Sequence, residues 1–187
     1  IKLKYRKNLS QKEKKLYEFA RDKLFLDKSK EIAKQIRQRL WNGKYFCDWN
    51  DYKQQNYFYT FGNLLAIAWN FTNKTESDSI LNESKKVKIN FTLDTNSPKY
   101  PFWRIDIFHH LVLQGNYQNK DILWWQPTTA YVAALISLNK KEEAIKQLKI
   151  MSNQIIKYNG VYECYSREGK PLKKLSYKSE HPFAWSS

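Results

Sequence analysis

The chain of 187 residues is long enough to bury the core of one ordinary domain, and its aromatic content of 16% is high. Five Gly and five Pro are too few for a disordered or fibrous chain, and two Cys are too few for a disulfide framework or a zinc site. The net charge of +15 comes from lysines dispersed along the chain with few arginines, which indicates compositional drift rather than a nucleic-acid-binding surface.

No apolar run approaches the roughly 20 residues that span a bilayer. We therefore expect a cytoplasmic protein in a reducing compartment, with neither a nucleic-acid nor a membrane partner. The chain starts at Ile1 without an initiator Met, and its last residues read as the start of a helix. These two features predict that it is a fragment of a longer protein.

Helical periodicity predicts most of the elements, and Gly, Pro and Asn separate them. The first half contains amphipathic helices over 11–24 and 27–40, an aromatic loop over 45–59, an apolar helix over 62–71 and a short polar helix over 77–86. The second half contains an apolar helix over 102–113, an aromatic loop over 121–126, a helical hairpin over 127–138 and 140–158, and a loop or short strand over 162–179. This alternation is typical of an all-α fold, an α/α toroid built of helical hairpins.

Two loops set carboxylates among aromatic rings, which is the environment that glycoside cleavage requires. The first contains Asp48 and Asp51, and the second contains Glu163. One carboxyl group must keep its proton and protonate the leaving oxygen, while the other stays ionised and activates water. Acidic residues in loops are also common as helix caps or solvated turn residues, so the spacing alone leaves both interpretations open.

Four motifs in chain order carry a resemblance to a known group of enzymes. They are Asp48–Asp51 (DWND), residues 117–127 (YQNKDILWWQP), Tyr162–Tyr165 (YECY) and residues 180–186 (EHPFAWS). From about Gly43 to its end the chain resembles the α/α-toroid glycosidases: neutral/alkaline invertases, amylo-α-1,6-glucosidases, trehalases and, more distantly, sugar phosphorylases. It departs from their pattern at Lys120, at Gln126 and at His181-Pro182, which puts the shape of the pocket in question.

The resemblance implies that residues 1–187 are the C-terminal portion of an (α/α)6 barrel whose N-terminal part is missing. It implies inverting hydrolysis of a disaccharide or oligosaccharide without a metal or an organic cofactor. Asp51 matches the proton donor, Asp48 is a weaker candidate for that role, and Glu163 matches the general base. The predicted substrate contacts are Trp49, Trp124, Trp125, Tyr165, Arg104 and Glu180.

Several of these assignments have structural alternatives. Adjacent residues rarely share a face, so at most one of Trp124 and Trp125 contacts sugar and the other belongs to the core. Arg104 is as readily explained by a structural ion pair, and Glu180 by a helix cap. A non-catalytic glycan- or protein-binding toroid is the second hypothesis, a basic nucleic-acid-binding domain the third. Hydrolysis and phosphorolysis also remain alternatives.

Overall fold

The computed structural model describes residues 10–13, 15, 23–101, 122–174 and 177–183, with the backbone alone at 23–25 and 174. Internal contacts divide the chain into two units, Ile1–Arg39 and Leu40–Ser187. Most of helix α1 (Lys23–Leu40) belongs to the first unit, and it confirms the amphipathic helix predicted over 27–40. Arg37 and Arg39 lie in its last turn, where positive charge complements the helix dipole.

The second unit contains four described helices: α2 (Thr60–Ala68), α3 (Lys74–Lys86), α4 (Gln126–Ser137) and α5 (Lys141–Tyr158). Their ends follow the sequence. Asn73 and Glu76 form a reciprocal capping box at the start of α3, and Pro127 stands in the first turn of α4. Asn159 adopts the left-handed conformation that ends α5. These four helices were predicted, with shifts of up to three residues at their ends. The predicted helix over 102–113 lies outside the described residues.

Nine short strands accompany these helices within the described residues. β1 (Cys47–Asn50), β2 (Gln54–Tyr59) and β5 (Asn96–Ser97) form one antiparallel sheet in the order β1-β2-β5. Three further antiparallel pairs join β3 (Lys88–Ile89) to β4 (Thr92–Leu93), β6 (Leu123–Trp124) to β7 (Cys164–Tyr165), and β8 (Lys173–Lys174) to β9 (Tyr177–Lys178).

The prediction of an all-α toroid is therefore wrong, and with it the assignment to the α/α-toroid glycosidases. The second unit mixes helices with four small antiparallel sheets in its described residues. The error arises at residues 45–59, predicted as a loop, where β1 and β2 form a hairpin. Their aromatic residues fit a pleated, half-buried surface, but intervening Asn and Gln residues conceal the two-residue alternation in the sequence.

The β6–β7 pair separates two packed clusters because successive side chains of a strand point to opposite faces. Leu123 pairs with Tyr165, and Trp124 pairs with Cys164. One face contributes to the aromatic core, which consists of Phe91, Leu123, Trp125 and Tyr165. The other face contributes to the thiol cluster, which consists of Ile122, Trp124, Cys164 and Leu172. Glu163 immediately precedes β7, so this sheet fixes its position.

None of the described helices is both long enough and apolar enough to cross a lipid bilayer.

Candidate functional site

A cavity of about 170 Å³ in the second unit brings together residues from both halves of the chain. Aromatic and apolar groups form most of its wall, and Glu163 is the acidic residue among the described lining residues. The lining consists of Tyr59, Phe61, Thr95, Trp124, Gln126, Pro127, Glu163 and Phe183. A carboxylate surrounded by flat apolar faces can bind a ligand that has both hydroxyl groups and C–H surfaces.

Backbone pairing positions the first wall of the cavity. Tyr59 ends β2 and pairs with Asn96 of β5, while the amide of Thr60 donates to the carbonyl of Thr95 at 2.8 Å. Phe61 follows in the first turn of α2. The end of the three-stranded sheet and the start of α2 thus hold Tyr59, Phe61 and Thr95 on one side of the cavity.

A buried chain of hydroxyl groups positions the second wall. Thr128 on α4 donates to the hydroxyl oxygen of Thr92, and Thr92 donates to the carbonyl oxygen of Trp124. Both hydrogen bonds are 2.5 Å long. Trp124 also lies in the thiol cluster, and α4 begins two residues later with Gln126 and Pro127. This wall is rigid because both packing and hydrogen bonds hold the same strand end.

Glu163 is tied to the segment that follows β9. Its amide donates to the carbonyl oxygen of Glu180 at 3.0 Å, and the amide of Phe183 donates to the carbonyl oxygen of Val161 at 3.2 Å. The hydroxyl group of Tyr177 donates to Oε2 of Glu163. Tyr177 and Phe183 were not predicted as site residues; Phe183 stood in a quoted motif, but no sequence signal indicated that Tyr177 reaches Glu163.

Asp48 lies on β1 in the middle of a register shift. Cys47 pairs with Phe58, and Trp49 pairs with Gln55. Between these two pairs the chain advances by two residues on β1 and by three residues on β2. Such a bulge changes the direction of nearby side chains. Asp48 is half-buried, and Tyr100, itself 7% exposed, donates its hydroxyl proton to Oδ2 of Asp48.

The environment of Asp48 favours its protonated form. Burial raises the pKa of the Asp48 carboxyl group, and the hydrogen bond from Tyr100 partly opposes that rise. The rings of Trp49, Tyr57 and Tyr100 pack against one another beside it, with Trp49 and Tyr57 stacked at 5.3 Å between centroids. A carboxyl group whose pKa is raised keeps its proton to higher pH than an exposed one, which suits the role of proton donor.

Asp51 has the opposite environment, although it stands three residues further on. It is exposed and accepts hydrogen bonds from Gln55 Nε2 at 2.8 Å, from Trp49 Nε1 at 3.3 Å and from the amide of Lys53 at 3.4 Å. The bond from Gln55 is the main reason that the pKa of Asp51 falls from 3.8 to about 2. This carboxylate organises the β1–β2 turn and does not hold a proton at neutral pH.

The predicted aromatic contacts separate into two groups. Trp124 lines the cavity, whereas Trp125 and Tyr165 are 1% and 0% exposed in the aromatic core. Trp125 Nε1 donates to the Tyr165 hydroxyl group at 3.1 Å, and that hydroxyl also accepts from the amide of Tyr162 at 3.0 Å. Trp125 and Tyr165 therefore belong to the aromatic core and are not among the described residues that line the cavity.

The other predicted site residues lie elsewhere. Trp49 packs beside Asp48 rather than among the described lining residues of the cavity. The Glu180 side chain is exposed and lines a separate surface hollow with Tyr162, Lys178 and His181. Arg104 lies outside the described residues.

Both cysteines are buried free thiols. Cys47 Sγ lies 3.1 Å from Asn56 Oδ1, and Cys164 Sγ lies 3.5 Å from the Tyr177 hydroxyl oxygen. Within the described residues, no three His, Cys, Asp or Glu side chains are grouped so that they could hold a metal ion.

Comparison with known proteins gives no family for this chain. No protein-family model matches it, and no curated protein matches it significantly. Any proposal for its function therefore depends on the geometry of the second unit.

Proposed function

We propose that the protein is a glycoside hydrolase that acts by a single displacement with inversion. The observation that carries the proposal is the position of Glu163, a carboxylate on the wall of a small cavity to which four aromatic residues contribute. Sugar rings present C–H faces that pack on aromatic side chains, and their hydroxyl groups require polar partners such as Gln126 and Thr95.

Glu163 is the general base in this mechanism. It accepts a proton from water as the water oxygen bonds to the anomeric carbon. The bond between the anomeric carbon and the glycosidic oxygen breaks, and Asp48 transfers its proton to that oxygen. The raised pKa of Asp48 supports the donor role, while the low pKa of Asp51 argues against Asp51 as the donor. Neither step requires a metal or an organic cofactor.

The size of the cavity limits the substrate. Its volume of about 170 Å³ lies below the roughly 300–1,000 Å³ that is usual for drug-sized ligands. One sugar ring is the largest group that we expect to enter, with the rest of a disaccharide or oligosaccharide outside. The two free buried thiols support a reducing, cytoplasmic location as part of the same proposal.

The test is turnover of a panel of α-linked disaccharides and short oligosaccharides, followed by ¹H NMR of the anomeric protons. We expect one or more substrates to be cleaved, and the first product to have the anomeric configuration opposite to that of the substrate. A Glu163→Ala protein purified in the same way controls for contaminating enzymes. Cleavage with retained configuration contradicts the inverting mechanism, and the absence of cleavage across the panel contradicts the hydrolase proposal.

A second candidate is a glycan-binding protein without catalytic activity. It is favoured by one observation: Glu163 lines the cavity, whereas Asp48 is not among the described lining residues. Binding needs only the one carboxylate in the cavity, whereas acid–base hydrolysis also needs Asp48 to reach the glycosidic oxygen of a substrate that extends outside it. Calorimetry with the same panel separates the two candidates, since binding without turnover supports only the second.

A further inference from the structure

We propose that Tyr177 is a positioning residue for Glu163, and that the thiol of Cys164 holds Tyr177 in turn. This inference rests on the proposed function, in which Glu163 is the general base. The three side chains form a short hydrogen-bonded series that starts in the core and ends at the cavity wall. Tyr177 itself is not among the described lining residues, so it acts through Glu163.

The direction of the hydrogen bonds follows from the chemistry of the groups. An ionised carboxylate only accepts, so the single hydroxyl proton of Tyr177 is donated to Oε2 of Glu163. The Cys164 Sγ atom lies 3.5 Å from the same hydroxyl oxygen, and with that proton already committed the thiol is the donor. The order is Cys164 to Tyr177 to Glu163.

Packing fixes the position of the Tyr177 ring. The ring lies against the thiol cluster, whose members Trp124 and Cys164 belong to the paired strands β6 and β7. A hydroxyl group on a packed ring already has a defined position. A hydroxyl group on a mobile side chain loses conformational entropy when it forms a hydrogen bond. The same packed group therefore supports both the cavity wall at Trp124 and the donor to Glu163.

Backbone contacts fix the other partner. The amide of Cys164 donates to Ser179 Oγ at 2.9 Å, and the amide of Glu163 donates to the carbonyl oxygen of Glu180 at 3.0 Å. The backbone amides of residues 163 and 164 are thus hydrogen-bonded to residues 180 and 179. These two residues directly follow β9, the strand that contains Tyr177. The contact between hydroxyl and carboxylate is set by this framework, and it leaves Oε1 of Glu163 to receive the proton of water.

The protonation state of Tyr177 agrees with the donor role. Burial raises the pKa of the Tyr177 hydroxyl group, and the hydrogen bond that it donates to Glu163 acts in the same direction. The hydroxyl group therefore keeps its proton across the neutral range.

The first test compares Tyr177→Phe with Tyr131→Phe, a control at a buried tyrosine on α4 away from the cavity lining. We expect Tyr177→Phe to lower kcat roughly 10- to 100-fold, with KM within about twofold, as for other residues that orient a reacting group. Tyr131→Phe leaves kcat and KM unchanged. A Tyr177→Phe enzyme with wild-type kcat, or one whose loss lies in KM rather than kcat, overturns the proposal.

Two substitutions test the thiol. Cys164→Ser keeps a donor to Tyr177 and is expected to retain kcat within about threefold, whereas Cys164→Ala removes the donor and is expected to lose more. Equal kcat values for the two variants contradict the role of the thiol.

A readout that does not depend on turnover separates this inference from the proposed function. The ¹³C carboxyl resonance of Glu163 is assigned by its absence in Glu163→Gln, and its chemical shift at neutral pH is compared among the wild type, Tyr177→Phe and Tyr131→Phe. A chemical shift that changes in Tyr177→Phe but not in Tyr131→Phe supports the contact even if no glycoside is cleaved. A chemical shift that is unchanged in Tyr177→Phe overturns it even if the protein is a hydrolase.

Discussion

The two acidic segments of the second unit differ in how the fold uses them. Asp48 and Asp51 lie on one β-hairpin, three residues apart, yet burial raises the pKa of the first and hydrogen bonds lower that of the second. Glu163 precedes a two-stranded sheet and reaches the cavity. Sheet register and burial therefore decide whether each carboxylate is buried, exposed or open to the cavity. The aromatic residues that neighbour it in the sequence do not.

The largest effect is expected at the segment that reaches the cavity. Glu163→Gln keeps the shape of the side chain and an acceptor for Tyr177 but removes the base. We expect kcat to fall on the order of 10²–10⁴-fold, the usual contribution of general acid–base catalysis. The measurement is initial rate at substrate saturation, with circular dichroism as the control for folding. Retained turnover in a folded Glu163→Gln protein removes Glu163 from the mechanism.

The hairpin supplies the next test as a matched pair. Asp48→Asn removes the proposed proton donor and is expected to lower kcat by roughly 10²-fold or more, whereas Asp51→Asn is expected to change it less than about threefold. The raised pKa of Asp48 implies that wild-type turnover is lost as pH rises through that value, because the donor ionises. A larger loss for Asp51→Asn reverses our assignment. The pH–rate profile of the wild type provides the independent check.

A third test disrupts the segment that ties Glu163 in place. Gly160 has φ of +149°, and a β-carbon there overlaps the imidazole ring of His181, which stacks on Tyr162. We expect Gly160→Ala to cost roughly 1–2 kcal/mol for the backbone conformation and a further 1–3 kcal/mol for the overlap. It should also weaken ligand binding, because His181 stands two residues before Phe183, which lines the cavity.

The control for this substitution is Gly43→Ala. Gly43 has φ of +93° but no atom within 4 Å of an added β-carbon, so only the backbone term applies. Urea unfolding of both variants measures the difference between them. Equal losses of stability show that His181 moves aside freely and does not fix the segment.

The sequence predicted local elements better than the way they assemble. The helices α2 to α5 follow from apolar periodicity, from Pro127 and from Asn159, all of which act within a few residues. The β1–β2 hairpin was missed because pairing with β5, some 40 residues away, depends on tertiary contacts. Four short motifs suggested a helical toroid, but a motif reports local residue types and does not determine the fold.

The candidate site shows the same limit. Glu163 and Trp124 were predicted and line the cavity, because carboxylates and aromatic rings are recognisable in a sequence. Tyr100 and Tyr177, which donate to Asp48 and Glu163, were not predicted. Tyr100 is 52 residues from its partner and Tyr177 is 14 residues from its partner, so only the folded chain reveals either pair.

The smallest expected effect is on thermal stability. Replacing Asp48 is expected to stabilise the fold at neutral pH, although it lowers activity. Because the pKa of Asp48 is raised on folding, its stabilising contribution is complete below the unfolded value of 3.8 and is lost as pH rises through the folded value. The pKa of Asp51 is depressed to about 2, so its contribution is present above 3.8 and is lost as pH falls through about 2.

At pH 7 we therefore expect Asp48→Asn to raise Tm by a few degrees and Asp51→Asn to lower it slightly, the latter being small because Asp51 is exposed. Thermal unfolding at pH 7 and pH 3 checks both signs, since the gain for Asp48→Asn should shrink at pH 3. A carboxylate that weakens the fold at neutral pH is better explained by activity than by stability. A lower Tm for Asp48→Asn at pH 7 assigns Asp48 a structural role as the partner of Tyr100. The proposed mechanism then has no proton donor to act together with Glu163.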